Sequence, residues 1–547
     1  MKRLICPTIS IVIIAALLLL AGCDNNSITQ QDNTPPSISQ MQGTASTAKA
    51  AVDSNLIPGQ YIVVFKSRWK GLIKNAKARQ ALQFVNTRIN DLGISAKAIK
   101  HRYQHALRGF AAKLTPKQLK ALKKDPQVKY IEQDQKFKAF NVGAASNSAA
   151  VSTVASSASG QTIPWGIDRV DGPFDGTGKK AWIIGAGVDL NNQDLNVDVN
   201  NSTSFVANET AQDVIGHGTY VAGLLAAKNN NQGVVGVAAG ATVVGVKVIA
   251  KNDSDSVSDL VEGLNYVEGK ASLNDIVNMS LGGPTSTAVD DAVIAGANKG
   301  IKFVISAGNL QTSAENVSPA RVQHTNVWTV SAFRQGDEFS AIFDYAHCGN
   351  PNAGSDYGNP PIEYSEPGER IKSLLIGGGV GMGYNGPCTA SGTSYAAPIL
   401  SGLLLAAPMG IATDGAVSND PDGNPDSIAV AVQPLSAVIN GPVTLSSGQV
   451  YTWTAQVYHQ KGSVSYQWYR KNAAGDSWQQ VSNTTDSYQT YFDNTTSGPI
   501  HPKLKVVVTS AGETATPVLT LDVQSSNCNR ATTTSSGISP DNVPPCN

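Results

Sequence analysis

Gly216-His217-Gly218-Thr219 and Gly392-Thr393-Ser394-Tyr395-Ala396-Ala397-Pro398 each present one reactive side chain among residues too small to cover it. A serine hydroxyl is a poor nucleophile until a neighbouring imidazole takes its proton, so His217 and Ser394 together point to acyl transfer. Ser394 opens the apolar run 396–407, with Pro398 expected in the first helical turn, where its missing N–H is tolerated. That places the hydroxyl at a helix N-terminus, close to backbone donors able to hold an oxyanion. Around these boxes, residues 161–417 alternate short apolar runs (181–184, 242–249, 276–279, 302–306) with helical stretches (220–227, 257–267, 289–299). Strand and helix taking turns predict a mostly parallel sheet covered on both faces, with functional residues at the carboxyl ends of its strands.

The chain of 547 residues is too long for one core. Its formal net charge of zero hides a split. From Leu56 to Phe140 there are 19 Lys+Arg against 4 Asp+Glu, an excess of +15, and from Gln161 onward 19 against 34, or −15. A basic segment with a strongly acidic partner on the same chain predicts intramolecular docking rather than nucleic-acid binding. Within it, 61–65 reads as a strand, 76–92 as a helix, 109–114 as a strand, a second helix starts at Thr115-Pro116, and 128–132 reads as a last strand. Residues 141–160 are almost entirely Ala, Ser, Val and Gly, an exposed joint suited to cleavage.

The segments GHGTYVAG and SGTSYAAP resemble the His and Ser boxes of the subtilisin-like serine proteases. "YIVVFK", "LRGFAAKLT" and "VKYIEQDQ" resemble the subtilisin propeptide, a folding assistant that occupies the active site. The resemblance implies an α/β fold, a subtilisin-like parallel sheet with helices on both faces (161–425), preceded by an α+β ferredoxin-like propeptide (58–140). It also implies that His217 is the general base, Ser394 the nucleophile, Asn309 the oxyanion-hole amide, and Ser280-Leu281-Gly282-Gly283 the edge for an extended peptide or protein substrate. In the family's first box an aspartate ends the strand; here Ile183-Ile184-Gly185-Ala186-Gly187-Val188-Asp189 puts Gly185 at that position. Asp189 and Asp213 are the remaining carboxylates within sequence reach. Loss of the aspartate lowers turnover about 10⁴-fold in related triads. The expected activity is therefore a weakened endopeptidase made as a zymogen, and the alternative is an inactive relative that binds peptides or a protein partner. Resemblance also suggests a structural calcium site at Gln161, Asp194, Lys228, Asn230, Gln232 and Val234, whose oxygen donors suit that ion.

Lys2 and Arg3 precede a short apolar run ending Leu20-Ala21-Gly22-Cys23, an export signal (1–22) that resembles a bacterial lipobox, with Cys23 as the lipid-modified site anchoring the protein to an envelope membrane. A polar tether (23–57) follows. Cys348, Cys388, Cys528 and Cys546 allow three pairings, and membership of one domain favours Cys348 with Cys388 and Cys528 with Cys546 in an exported chain. Residues 433–523 carry short alternating strands, among them 441–443, 450–453, 464–469 and 504–508, and read as an all-β immunoglobulin-like sandwich in which Trp468 could fill the core. A polar tail (524–547) closes the chain.

Overall fold

Two glycine-framed boxes need a rigid frame, and the frame is a sheet whose strands alternate side chains between two cores. The computed structural model describes residues 55–66, 74–137, 160–252, 255–343, 353–383, 391–432, 435–458, 463–473, 476–495, 499–510 and 512–524. The export signal with Cys23, the tether up to Ser54, the processing joint short of Gly160, Cys348, Cys388 and the tail with Cys528 and Cys546 lie outside the described residues. Among the described residues no helix is long and apolar enough to cross a membrane.

The first unit runs β1 (Leu56–Phe65), α1 (Lys74–Asp91), β2 (Ile99–Tyr103), β3 (Gly109–Lys113), α2 (Pro116–Lys124) and β4 (Val128–Phe137). Its antiparallel sheet has the order β4-β1-β3-β2. Strand β2 is an addition to the sequence reading, because Ile99-Lys100-His101-Arg102-Tyr103 looks like a basic loop until its partners are in place. Thr115 starts α2 as expected, closing a capping box with Gln118. Both faces of this sheet are covered. Val63, Phe65 and Phe110 pack with Val85, Ile89 and Leu122 in the unit's own core. Ile62, Val64, Tyr103 and Ala111 face the other way and share a core with Val257, Leu260 and Leu264 of the following domain.

That domain is built on β5 (Lys180–Gly185), α3 (His217–Ala226), β6 (Thr242–Lys247), the short β7 (Asp255–Ser256), α4 (Val257–Lys270), β8 (Ile276–Met279), α5 (Thr287–Ala297), β9 (Lys302–Ser306), β10 (Val327–Arg334), β11 (Ile362–Pro367), α6 (Thr393–Ala406) and a hairpin, β12 (Ile411–Ala416) with β13 (Ser427–Ala431). The sheet order is β12-β13-β11-β10-β9-β8-β5-β6, parallel from β13 to β6, with the Asn196–Val197 strand outside β6. Alternation splits β5 between two cores: Trp182 and Ile184 face α4 and α5, whereas Ala181 and Ile183 face α3 and α6. The two helices that begin at the reactive boxes therefore lie together on one face, and on the other face the N-terminal unit packs against α4 and α5.

Docking of that unit uses the opposite charges its composition predicts and adds a second chemistry to them. Lys100 and His101 both reach Asp259 at 2.5 Å, and Lys129 reaches Asp291 at 2.5 Å. Further directional contacts come from the unit's rare acidic residues. Glu132 accepts from Ser286 Oγ (2.5 Å) and Ala288 N (3.0 Å) at the start of α5, and Asp134 accepts from Ser258 N (3.0 Å) at the start of α4. Helix N-termini carry unpaired donors and partial positive charge, so carboxylates anchor there better than lysines. Asn265 Oδ1 meets the other end of the sheet, accepting from Gln104 N and His105 N at 2.8 and 2.7 Å.

The last domain places β14 (Ser436–Asn440), β15 (Val450–Tyr458) and β17 (Ser487–Tyr491) in one antiparallel sheet, and β16 (Val464–Lys471) pairs with β18 (Lys503–Ser510) in another. Residues 441–443, read as a strand, form a turn instead. Pro442 has no N–H for a ladder, Gly441 takes φ +151°, and Trp453 Nε1 donates to Pro442 O at 2.9 Å. Trp453 and Trp468 are both buried between the sheets, with Trp468 stacked on Tyr488 at 5.5 Å and bonded to Thr485 O at 2.9 Å. Trp468→Ala is expected to destabilise this domain by about 3–5 kcal/mol. Calorimetry would show one unfolding transition moving to lower temperature while the rest of the melting profile stays in place.

Candidate active site

His217 is the first residue of α3, and its position follows from contacts too close for any side chain. A Cβ on Gly218 would lie 1.8 Å from Gly187 O, and Gly187 itself takes φ +90°. These glycines let the first turn of α3 rest on the loop that leaves β5 at Gly185. His217 is buried, and burial pushes its imidazole down to about 4.

Gly185 is the last residue of β5, and an added Cβ there would meet no heavy atom within 4 Å. Both nearby carboxylates are engaged with groups of the surrounding loops. Asp213 accepts from Ile215 N, Gly216 N, Thr219 N and Thr219 Oγ1 at 2.8–2.9 Å, holding the start of α3. Burial raises its carboxyl above the ordinary range against the pull of those bonds. Asp189 accepts from Gln212 Nε2 (3.0 Å) and Gly377 N (2.9 Å) and organises the loop beyond β5.

Ser394 is the second residue of α6, and Pro398 lies in the helix interior rather than in its first turn. The proline withholds the N–H that would have met the carbonyl four residues back, at Ser394. Ser280 Oγ donates to that carbonyl at 2.8 Å. In return Ser394 Oγ donates to Ser280 O at 3.4 Å, so the reactive helix and the Ser280–Gly283 segment are tied together twice. The His217 and Tyr395 rings lie 6.3 Å apart, which brings the imidazole beside the start of α6.

Asn309 follows β9, and its Oδ1 accepts from Thr393 N (3.0 Å) and Thr393 Oγ1 (2.8 Å). Fixing the oxygen turns Nδ2 toward Gly392, where an added Cβ would stand 3.0 Å from it. Leu281 and Gly282 are buried and Gly283 is half-buried, pairing with Ser318. Phe137, at the end of β4, comes within 3.0 Å of a Cβ on Gly283, and residues 136–137 pair antiparallel with β7.

The suggested metal loop also assembles. Gln161 Nε2 contacts the carbonyls of Lys228 (2.6 Å), Gln232 (3.1 Å) and Val234 (3.0 Å), while Asn230 Nδ2 donates to Asp194 Oδ1 at 2.8 Å. An amide NH₂ has two hydrogens for those three carbonyls. Burial pushes Asp194 up to about 6, against Asn230 and Lys228, which pull it down.

The parts missed in sequence are supporting ones: Thr393, which orients Asn309, the Ser280 hydroxyl, and the anchors Glu132 and Asp134. A signal existed for the last pair. They stand two apart on one strand and are half of the four acidic residues between Leu56 and Phe140.

Residues 87–407 match the model of the subtilase family. The chain is 31% identical to alkaline serine exoprotease A of Vibrio alginolyticus over 72% of this chain and 69% of that protein. It is 30% identical to the extracellular serine proteinase of Thermus sp. over 71% and 87%, and 34% identical to subtilisin E of Bacillus subtilis over 53% and 68%. With the family model covering more than half its length, this chain belongs to the subtilases, the subtilisin-like serine proteases.

Proposed function

We propose that the chain is an exported subtilisin-like endopeptidase, made as a zymogen, whose turnover is weak because Gly185 stands where the triad carboxylate belongs. What supports this reading is the His217 ring beside Tyr395, next to Ser394 in the first turn of α6, the bond that ties Asn309 to Thr393, and the open space at Gly185. Ser394 Oγ attacks the peptide carbonyl carbon and passes its proton to His217. Asn309 Nδ2 and the backbone N–H groups opening α6 hold the oxyanion. His217 then protonates the leaving amine, and water repeats the sequence on the acyl-enzyme. A carboxylate at 185 would hold the imidazole tautomer and stabilise the imidazolium, and without it each proton transfer is harder.

The N-terminal α+β unit, ferredoxin-like in its strand order, acts as the inhibitory propeptide in this reading, with residues 136–137 lying as a substrate would. Export, lipid attachment at Cys23, cleavage within 141–160 and the two disulfides rest on sequence and belong to the same proposal. The Gln161–Val234 loop fits calcium: three backbone carbonyls converge on the Gln161 amide and outnumber the hydrogens its Nε2 offers, turning that amide over would add its oxygen to them, and Asp194 supplies charge. Bound there, calcium would hold the loop that follows α3. The β-sandwich, immunoglobulin-like in its buried Trp468, would serve as an accessory module.

A second reading, a binding protein without turnover, is favoured by Gly185 alone. The deciding experiment is hydrolysis of casein by the purified chain beside Ser394→Ala. Turnover that disappears with the hydroxyl establishes the protease, and equal rates in both establish the binding protein.

The acid limb of the pH profile gives a further test. His217 must be neutral to act as base, and burial holds it near 4, so kcat/KM is expected to stay level from neutral pH until about pH 4 is approached. A carboxylate at 185 favours the charged ring, so Gly185→Asp should move that limb upward in pH.

A further inference from the structure

Gly185 is buried, yet a Cβ built on it meets no heavy atom within 4 Å beyond its chain neighbours. Protein interiors are close-packed, so open space there calls for an occupant. It lies at the end of β5, two residues before the glycine on which the first turn of α3 rests. The backbone beside it is rich in donors. Ala186 and Gly187, the next two residues, are buried, and among the described residues neither N–H donates to any group. A buried amide without an acceptor is costly, and successive N–H groups at a strand end suit an anion.

The neighbouring charges leave room for one. Lys247 of β6 is the register partner of Gly185, so its side chain leaves the sheet on the face that a Cβ at 185 would take. It is fully buried, and its ammonium donates to Ala186 O at 2.8 Å and lies 3.3 Å from Glu209. Glu209, Asp189 and Asp213 are each engaged with other donors. From Cβ outward an aspartate side chain is acetate, one methyl-sized carbon bearing a carboxylate. Acetate can therefore set its methyl where the missing Cβ would stand.

We propose that the space at Gly185 binds a small carboxylate, of the size of formate or acetate, which completes the triad from solution and makes peptidase activity depend on that anion. The activation rests on the reading of His217 as general base; the binding does not. The bound carboxylate accepts the imidazole N–H that faces away from Ser394 and stabilises the imidazolium formed during attack. An untethered anion lacks the positioning that a covalent link gives, so its effect falls short of the roughly 10³ to 10⁴-fold of a built-in aspartate.

The test is an acetate titration of the full chain at fixed ionic strength, with chloride as the balancing salt so that screening stays constant. Peptide hydrolysis is read on the unmodified chain, and the His217 ring resonances are read by NMR with labelled histidine on Ser394→Ala, which cannot digest itself. Expected are a saturable rise in kcat of about 10- to 10²-fold, a smaller rise with butyrate, whose chain outgrows the space, and none in Gly185→Asp, which already carries the carboxylate. The His217 resonances should shift with the same saturation. A saturable shift without turnover in any of the proteins would end the protease reading and leave the site standing. Turnover in which neither rate nor resonances respond to acetate overturns the proposal, as does an equal response in Gly185→Asp.

Discussion

Gly185→Asp should raise kcat on a peptide substrate by about 10³ to 10⁴-fold, the reverse of the loss seen when a triad carboxylate is removed. The steric condition is met, since an added Cβ at 185 has no neighbour within 4 Å and the glycine does not use a left-handed backbone conformation. Electrostatics agree with the sterics. His217 is held near 4 by burial, and a carboxylate beside it would repay that desolvation by favouring the imidazolium that forms during attack. Asp213 and Asp189 are bonded elsewhere and do not compete for the ring. Intact-mass spectra beside casein assays would read the result twice, because a working triad should also cut the chain within 141–160. An unchanged kcat in a folded Gly185→Asp protein would show that another group already supports His217.

Ser394→Ala should be strongly non-additive with that change. Removing one member of a triad removes most of what the triad contributes, so in the unmodified chain the loss of the hydroxyl should lower kcat only about 10²-fold, whereas in the Gly185→Asp background it should lower kcat about 10⁶-fold. Single-turnover rates of the four proteins form a double-mutant cycle whose coupling measures how far position 185 and Ser394 act as a unit. Equal losses in both backgrounds would mean that the aspartate and serine never cooperate, and would sink the triad reading.

Chemistry borne by single residues within recognisable boxes was legible from sequence, and chemistry borne by distant pairs was not. The sheet strands were visible because each side of them is buried, which leaves unbroken apolar runs such as Trp182-Ile183-Ile184. Gly185 was visible because the strand before it and Gly187 after it set the register. Strand β2 was hidden because its Lys100 and His101 are paired with Asp259, more than 150 residues along the chain. Pro398 was misplaced within α6 for a similar reason. The carbonyl it leaves unpaired is taken by Ser280 Oγ, 114 residues earlier, and local helix rules contain no such donor.

The N-terminal sheet is apolar on both faces, and only one of them is covered by its own helices. If the joint after β4 is cut and the unit leaves, Ile62, Val64, Tyr103 and Ala111 pass from the shared core into water. Such a fragment would be poorly soluble, readily unfolded and open to digestion by the enzyme it had covered. Departure would then act as a ratchet: the inhibitor is consumed rather than exchanged, so each molecule can be switched on once and has no route back.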